Sequence, residues 1–148
     1  MFKHILIATD GSELAEKAVA HGIALARHLN AKATAVTVTE PWDALSMAAL
    51  AERNVRNPVA DYEEGMAAGA NRVLWSVGEV AKRLGYPCST TYVKDRHPAE
   101  GIIETAKAQG CDLIVMASHG RRGLSKLLLG SQANKVVTLS PTPVLIYR

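Results

Sequence analysis

Two short stretches hold the residues best suited to chemistry. The longer, VMASHGRRGLSKLLLGS at residues 115–131, begins apolar, as the end of a buried strand would. It then turns glycine-rich and basic, with His119, Arg121, Arg122 and Lys126 in one loop. Gly120 and Gly123 permit positive φ, which lets backbone N–H groups converge on one point. Gly130-Ser131 suits the start of a helix, whose free N–H groups attract anions. The occupant this combination suits is a phosphate or polyphosphate. The shorter stretch, TDGS at residues 9–12, adds one carboxylate. Asp10 there suits ribose hydroxyls or the polar edge of a base.

Two familiar phosphate motifs do not fit. A Walker loop needs GxxxxGK[ST], and the corresponding place after Gly120 reads Ser125-Lys126-Leu127. No GxGxxG follows the first strand, so the chain is not a standard P-loop enzyme or dinucleotide dehydrogenase. A plainer reading stands beside the phosphate one: the glycines only make the turn, Arg122 and Lys126 are solvated, His119 bonds within its loop and Asp10 caps the first turn.

The elements that must carry these loops alternate along the chain. Residues 4–9 (HILIAT) form a short apolar run, as in a parallel strand buried on both faces. Ser12 can cap the next helix, which runs to about Leu29, with Glu13 and Glu16 in its first turn. Residues 33–38 are a second strand. Residues 40–57 read as a long irregular connection, a flap or a disordered segment. Asn57-Pro58 then reads as a cap with proline at the first helical position. Tyr62, Met66, Ala70, Val73, Val77, Val80 and Leu84 recur at helical spacing, and Gly85 stops that helix. Further strands fall at residues 89–93, 112–117 and 143–147, with a helix opening at Pro98 and a short one at residues 131–139. Such alternation argues a parallel sheet covered by helices on both faces. Ligands in such sheets sit at the carboxyl ends of the strands, where the winding reverses.

The bulk properties set bounds. The chain of 148 residues reads as one domain, 1–148. It is 48% hydrophobic and 21% charged, an ordinary globular balance. A net charge of +3 with 5% aromatic residues does not point to nucleic acid. No apolar run is long enough for a signal-peptide core or a membrane span, so a cytoplasmic protein without a membrane partner is expected. Cys88 and Cys111 lack metal-site spacing and read as free thiols.

Gly120, the nine residues after it, and Gly130-Ser131 resemble the glycine pattern of the ATP-binding universal stress proteins. The start ILIATDGSELAEKAV and the end PTPVLIYR are similar to that family too, so the resemblance covers nearly the whole length. It implies a Rossmann-like open sheet of five parallel strands in the order 3-2-1-4-5. It places Thr9, Asp10 and Val38 on the adenosine side of ATP. Met116, Ala117, Gly120, Arg121, Arg122, Gly130, Ser131 and Gln132 would follow the phosphates, although Val38 and Met116 also read as plain core. Ala117 departs from the pattern, which has glycine there. If that position needs positive φ, alanine costs ~1–2 kcal/mol; if the strand merely meets the ligand, a methyl group is tolerated.

The expectation is thus a stress-response protein that binds ATP and acts as a regulatory or signalling module with an unnamed downstream protein. Mg²⁺ would be held mainly by the phosphates. Two alternatives stay open: a slow ATPase or nucleotide-using transferase, and a dimeric interaction module that binds no nucleotide. The implied edge position of the last strand, with apolar residues Val144, Leu145, Ile146 and Tyr147, predicts a homodimer paired through it. In the implied order Cys88 and Cys111 precede strands separated by two others, hence ~14 Å from each other. That is beyond disulfide reach.

Overall fold

The computed structural model describes residues 1–121 and 128–148; Arg122, Gly123 and Lys126 lie outside the described residues. In chain order the elements are β1 (His4–Ala8), α1 (Glu13–Leu29), β2 (Lys32–Thr39), α2 (Ala44–Glu52), α3 (Pro58–Leu84), β3 (Ser89–Lys94), α4 (Pro98–Ala108), β4 (Leu113–Ala117), α5 (Ser131–Leu139) and β5 (Val144–Tyr147). The strands pair in parallel in the order β3-β2-β1-β4-β5, as expected. The chain winds outward from β1 to β3, then crosses back to β4 on the other side of β1. The winding therefore reverses between β1 and β4, where a ligand crevice opens in sheets of this kind.

The two-residue period of the strands divides the core into two layers. Ile5 and Ile7 of β1, with Ala33, Ala35, Leu113 and Val115, pack on Val19, Ile23 and Ala26 of α1 and on Val77 and Val80 of α3. Leu6 and Ala8, with Val36, Ile114 and Met116, face the opposite way onto Ile102 and Ala106 of α4 and Ala133 and Val136 of α5. Because both faces are covered, β1 and β4 are buried along their whole length save for His4.

Two local readings need correction. Residues 40–57 are not wholly irregular, since α2 lies within them. Asp43 caps that helix, its carboxylate accepting from the Leu45 and Ser46 amides. A run of alanine and leucine after a good cap forms a helix without needing an amphipathic pattern. Asn57 precedes α3 in the left-handed region, φ 50°, but makes no side-chain cap bond. Pro58, with no N–H to satisfy, stands at the helix start as the sequence predicts.

Cys88 and Cys111 are free thiols in the two different layers. Burial pushes both up to about 11, so neither is a reactive thiolate at neutral pH.

Candidate functional site

The loops after β1 and β4 meet at the reversal of winding. Asp10 joins them. Its Oδ1 accepts from the Ser12 amide at 2.9 Å within its own turn, and its Oδ2 accepts from the Arg121 amide at 3.1 Å across the gap. The junction is tight. A Cβ built on Gly120 would clash with Asp10 Oδ2, so a side chain there would displace the Asp10 carboxylate from the junction. This replaces the expectation of positive φ: the residues with left-handed backbone include Gly11 at φ 77°, but not Gly120 or Gly130. Gly120 is required for close approach, not for a left-handed turn.

Gly130 is needed for the same kind of reason. Its amide donates to the Ser118 carbonyl at 2.7 Å, which draws the start of α5 against β4. A Cβ there would lie 3.0 Å from that oxygen. Ser131 follows as the first residue of α5 and is exposed, so the free amides of the helix start face outward. His119 is half-buried, and its Nδ1 lies 3.1 Å from Ser118 Oγ. Gln132 has its own task, its Oε1 accepting from the Ala99 amide at 3.1 Å. That bond ties the start of α5 to the start of α4.

Ala117 occupies ordinary strand geometry. It pairs with Tyr147 of β5, has no positive φ, and packs on Ala15 and Ala18 of α1. The methyl group in place of the motif glycine therefore imposes no backbone strain.

Together these residues frame a cleft of about 710 Å³. Asp10, His119, Gly120, Arg121, Gly130, Ser131 and Gln132 supply the polar side. Thr37, Val38, Thr39 and Glu40, at the carboxyl end of β2, form a second wall. Beside it opens a slot of about 160 Å³, lined by Thr9, Val36, Val38, Ile102, Met116 and Ala117 among others. Thr9, Asp10, Val38, Met116, Ala117, Gly120, Arg121, Gly130, Ser131 and Gln132 thus converge on adjoining cavities. Arg122 lies outside the described residues.

The third wall escaped the sequence reading. α3 runs for 27 residues, longer than the sheet needs. Its later residues Val77 and Val80 are core, whereas Tyr62, Gly65, Met66, Gly69, Ala70, Arg72 and Val73 line the cleft. The uniform apolar spacing concealed the change of role. A glycine inside a helix costs ~0.5–1 kcal/mol relative to alanine. Gly65 has nothing within 4 Å of a built Cβ, and Gly69 only the end of Arg72 at 3.7 Å. No packing demand explains either glycine, and both keep the cleft wide. Two glycines four apart in a helix were the available signal. Tyr62 donates its hydroxyl to the Glu40 carbonyl at 3.1 Å, pinning α3 to the end of β2. Burial, aided by the Glu40 charge, raises its phenol above the ordinary value, which keeps that donor protonated.

The model of the universal stress protein family matches residues 1–148. The chain belongs to the universal stress protein family. It is 33% identical to a universal stress protein of Thermus aquaticus, over 100% of both chains. Among solved structures, MJ0577 of Methanocaldococcus jannaschii superimposes with a TM-score of 0.79 at 26% identity, over 99% of this chain and 96% of that one. A universal stress protein solved in complex with cAMP superimposes with a TM-score of 0.73, also at 26% identity, over 99% of this chain and 97% of that one. In this universal stress protein, then, the order 3-2-1-4-5 belongs to the shared fold. Among the described residues no helix is long and apolar enough to cross a membrane.

Proposed function

We propose that this universal stress protein binds ATP in the cleft between the loops after β1 and β4, and acts as a regulatory module in a cytoplasmic stress response. The observation that carries the reading is the Asp10–Gly120–Arg121 junction, which joins the ends of β1 and β4 beside a cleft large enough for a nucleotide. The donor set fits the ligand. The slot is close to the ~150 Å³ void that takes up a benzene ring, and its Val36, Val38, Ile102 and Met116 walls suit a flat base. Asp10 retains lone pairs for ribose hydroxyls after its two amide bonds. Thr9 and Val38 stand beside the same slot, and so do Met116 and Ala117, which meet the base end rather than the phosphates. Gly120, Arg121, Gly130 and Ser131 face the phosphates, where the amides at the α5 start and the Arg121 charge favour anions. The complex of a 26%-identical relative with cAMP supports an adenine nucleotide as ligand.

Asp10 and Glu40 are the carboxylates on the cleft wall. Mg²⁺ arriving with ATP would take most of its ligands from phosphate and water, as this ion commonly does. It would supply charge neutralisation. Among the described residues no side-chain pair stands ready to activate a water, and the module reading is preferred to an enzyme. The C-terminal strand supports a homodimer: β5 is a sheet edge with Leu145 exposed, and a second copy would cover it.

The test is to denature freshly purified protein and identify released nucleotide by chromatography, with calorimetry of ATP binding alongside. ATP release, or ATP binding by the emptied protein, is the expected result. No released nucleotide and no ATP heat would reject the reading. Multiple-turnover release of phosphate or AMP would move it toward an enzyme.

A further inference from the structure

Arg72 on α3 has no place in the reading so far. It lines the cleft together with Arg121, which reaches in from the β4 loop. One guanidinium nitrogen of Arg121 lies 3.1 Å from a Cβ built on Gly11, and Val73 crowds that same point at 2.7 Å. Arg121 therefore lies where α3 crosses the start of α1, beside the residue that follows Arg72. The Arg72 guanidinium itself folds back along α3 over Gly69. Two positive charges thus line the same concave site, with Arg121 reaching the α3 side beside Val73.

Neither is in an ion pair among the described residues. Among the described residues the ion pairs are Lys17 with Glu13, Lys82 with Glu79, and Arg96 with Glu104. The two carboxylates on the cleft wall do not neutralise them. Asp10 receives the Arg121 amide rather than its guanidinium, and Glu40 stands at the end of β2 in no ion pair. Like charges gathered in a cleft repel unless an anion lies between them. Guanidinium groups hold phosphate oxygens through paired N–H donors.

We propose that Arg72, with Arg121, forms an anion-binding edge on the α3 wall that receives the outermost phosphate of a nucleoside polyphosphate, so that the site grades ligands by phosphate number. The identity of the ligand rests on the nucleotide reading above; the anion edge rests on the two arginines alone. The edge and the α5 start approach the polyphosphate from different sides, α5 from β4 and Arg72 from α3. Adenosine or a monophosphate seated in the slot leaves the edge empty.

The test measures adenosine, AMP, ADP, ATP and inorganic tripolyphosphate against the parent, Arg72→Ala and Arg72→Lys by calorimetry, with circular dichroism to verify folding. Arg72 is exposed on a helix, so both variants should fold. Arg72→Ala should weaken ATP and tripolyphosphate by roughly tenfold or more, the size of a lost charge-assisted contact. It should leave adenosine unchanged, and Arg72→Lys should fall between. The preference for ATP over AMP should shrink with the variant and with added salt. A parent that binds tripolyphosphate in an Arg72-dependent way but no nucleotide upholds the edge and rejects the nucleotide reading. A parent that binds ATP unchanged by Arg72→Ala upholds the nucleotide reading and overturns the edge. Equal losses for adenosine and ATP would also overturn it, since they would mark a structural role.

Discussion

Each end of the sheet has an aspartate that ties β1 to β4 by accepting two backbone amides. At the amino end, Asp112 accepts from Lys3 at 2.7 Å and from His4 at 3.0 Å. At the carboxyl end, Asp10 accepts from Ser12 and Arg121. The surroundings differ. Around Asp112 the next polar groups are occupied by one another: His4 Nδ1 meets the Gln109 carbonyl at 3.1 Å, and Nε2 meets Thr34 Oγ1 at 2.9 Å. Around Asp10 the polar groups face the cleft, and the carboxylate is exposed. The same local device closes the fold in one place and frames the candidate cleft in the other. What separates the two roles is whether neighbouring donors and acceptors are already used.

The strongest way to break the carboxyl-end joint is Gly120→Val. Its Cβ would clash with the Asp10 carboxylate where that now stands, so the Asp10–Arg121 junction must open. ATP affinity should fall by about a hundredfold or more, equivalent to ~3 kcal/mol. Stability in urea should drop by ~1–3 kcal/mol. A folded variant that binds ATP like the parent would show that the joint does not shape the site.

Paired alanine substitutions then set the two aspartates against each other. Asp112→Ala should cost ~1–2 kcal/mol of stability, from two lost bonds to a charged acceptor, and leave ATP affinity within about twofold. Asp10→Ala should do the reverse, weakening ATP by roughly tenfold while changing stability by about 0.5 kcal/mol or less. Similar effects on both readouts would erase the distinction. Partial burial alone would raise the Asp112 carboxyl, but the His4 and Lys3 amides outweigh it, and the net value lies below the ordinary 3.8. Its stabilising share is therefore present above that ordinary value and is lost as pH falls through the lower folded value. In urea titrations, the stability gap between parent and Asp112→Asn should hold from neutral pH downward and narrow only below about pH 4.

Glycine substitutions along α3 sharpen the boundary between cleft and core. Gly65→Ala and Gly78→Ala should each raise stability by ~0.5–1 kcal/mol, since neither built Cβ meets an atom within 4 Å. Only Gly65 lines the cleft, so only Gly65→Ala should weaken ATP. The smallest effect is expected at Ala117. Because that residue is regular strand, Ala117→Gly should cost ~0.5–1 kcal/mol and leave ATP affinity within about twofold. A large gain in affinity would show that the methyl group obstructs the ligand.

The layered sheet was legible in the sequence because strand and helix periods are local. HILIAT and LIVMA are apolar at every position, which marks strands covered on both faces. The strand order was reached through family resemblance, since parallel pairing leaves no local trace. Asp10, Gly120, Gly130 and Ser131 were legible as cleft candidates because they follow strands or start a helix, and Thr9 through the family resemblance. The α3 wall was not, because Met66 at the cleft and Val77 in the core follow the same apolar spacing.

By itself, then, the sequence determined the alternation of elements, the two loops rich in glycine and charge, and the free thiols. Each follows from residue type and short-range spacing. Only the tertiary structure decided that Gly120 closes on the Asp10 carboxylate, that Ala117 sits in unstrained strand, and that Arg72 and Arg121 line the same cleft. Those facts depend on which atoms from distant segments share a volume. Asp10 and Arg121 are separated by |i−j| = 111 in the chain, and no local period records that they meet.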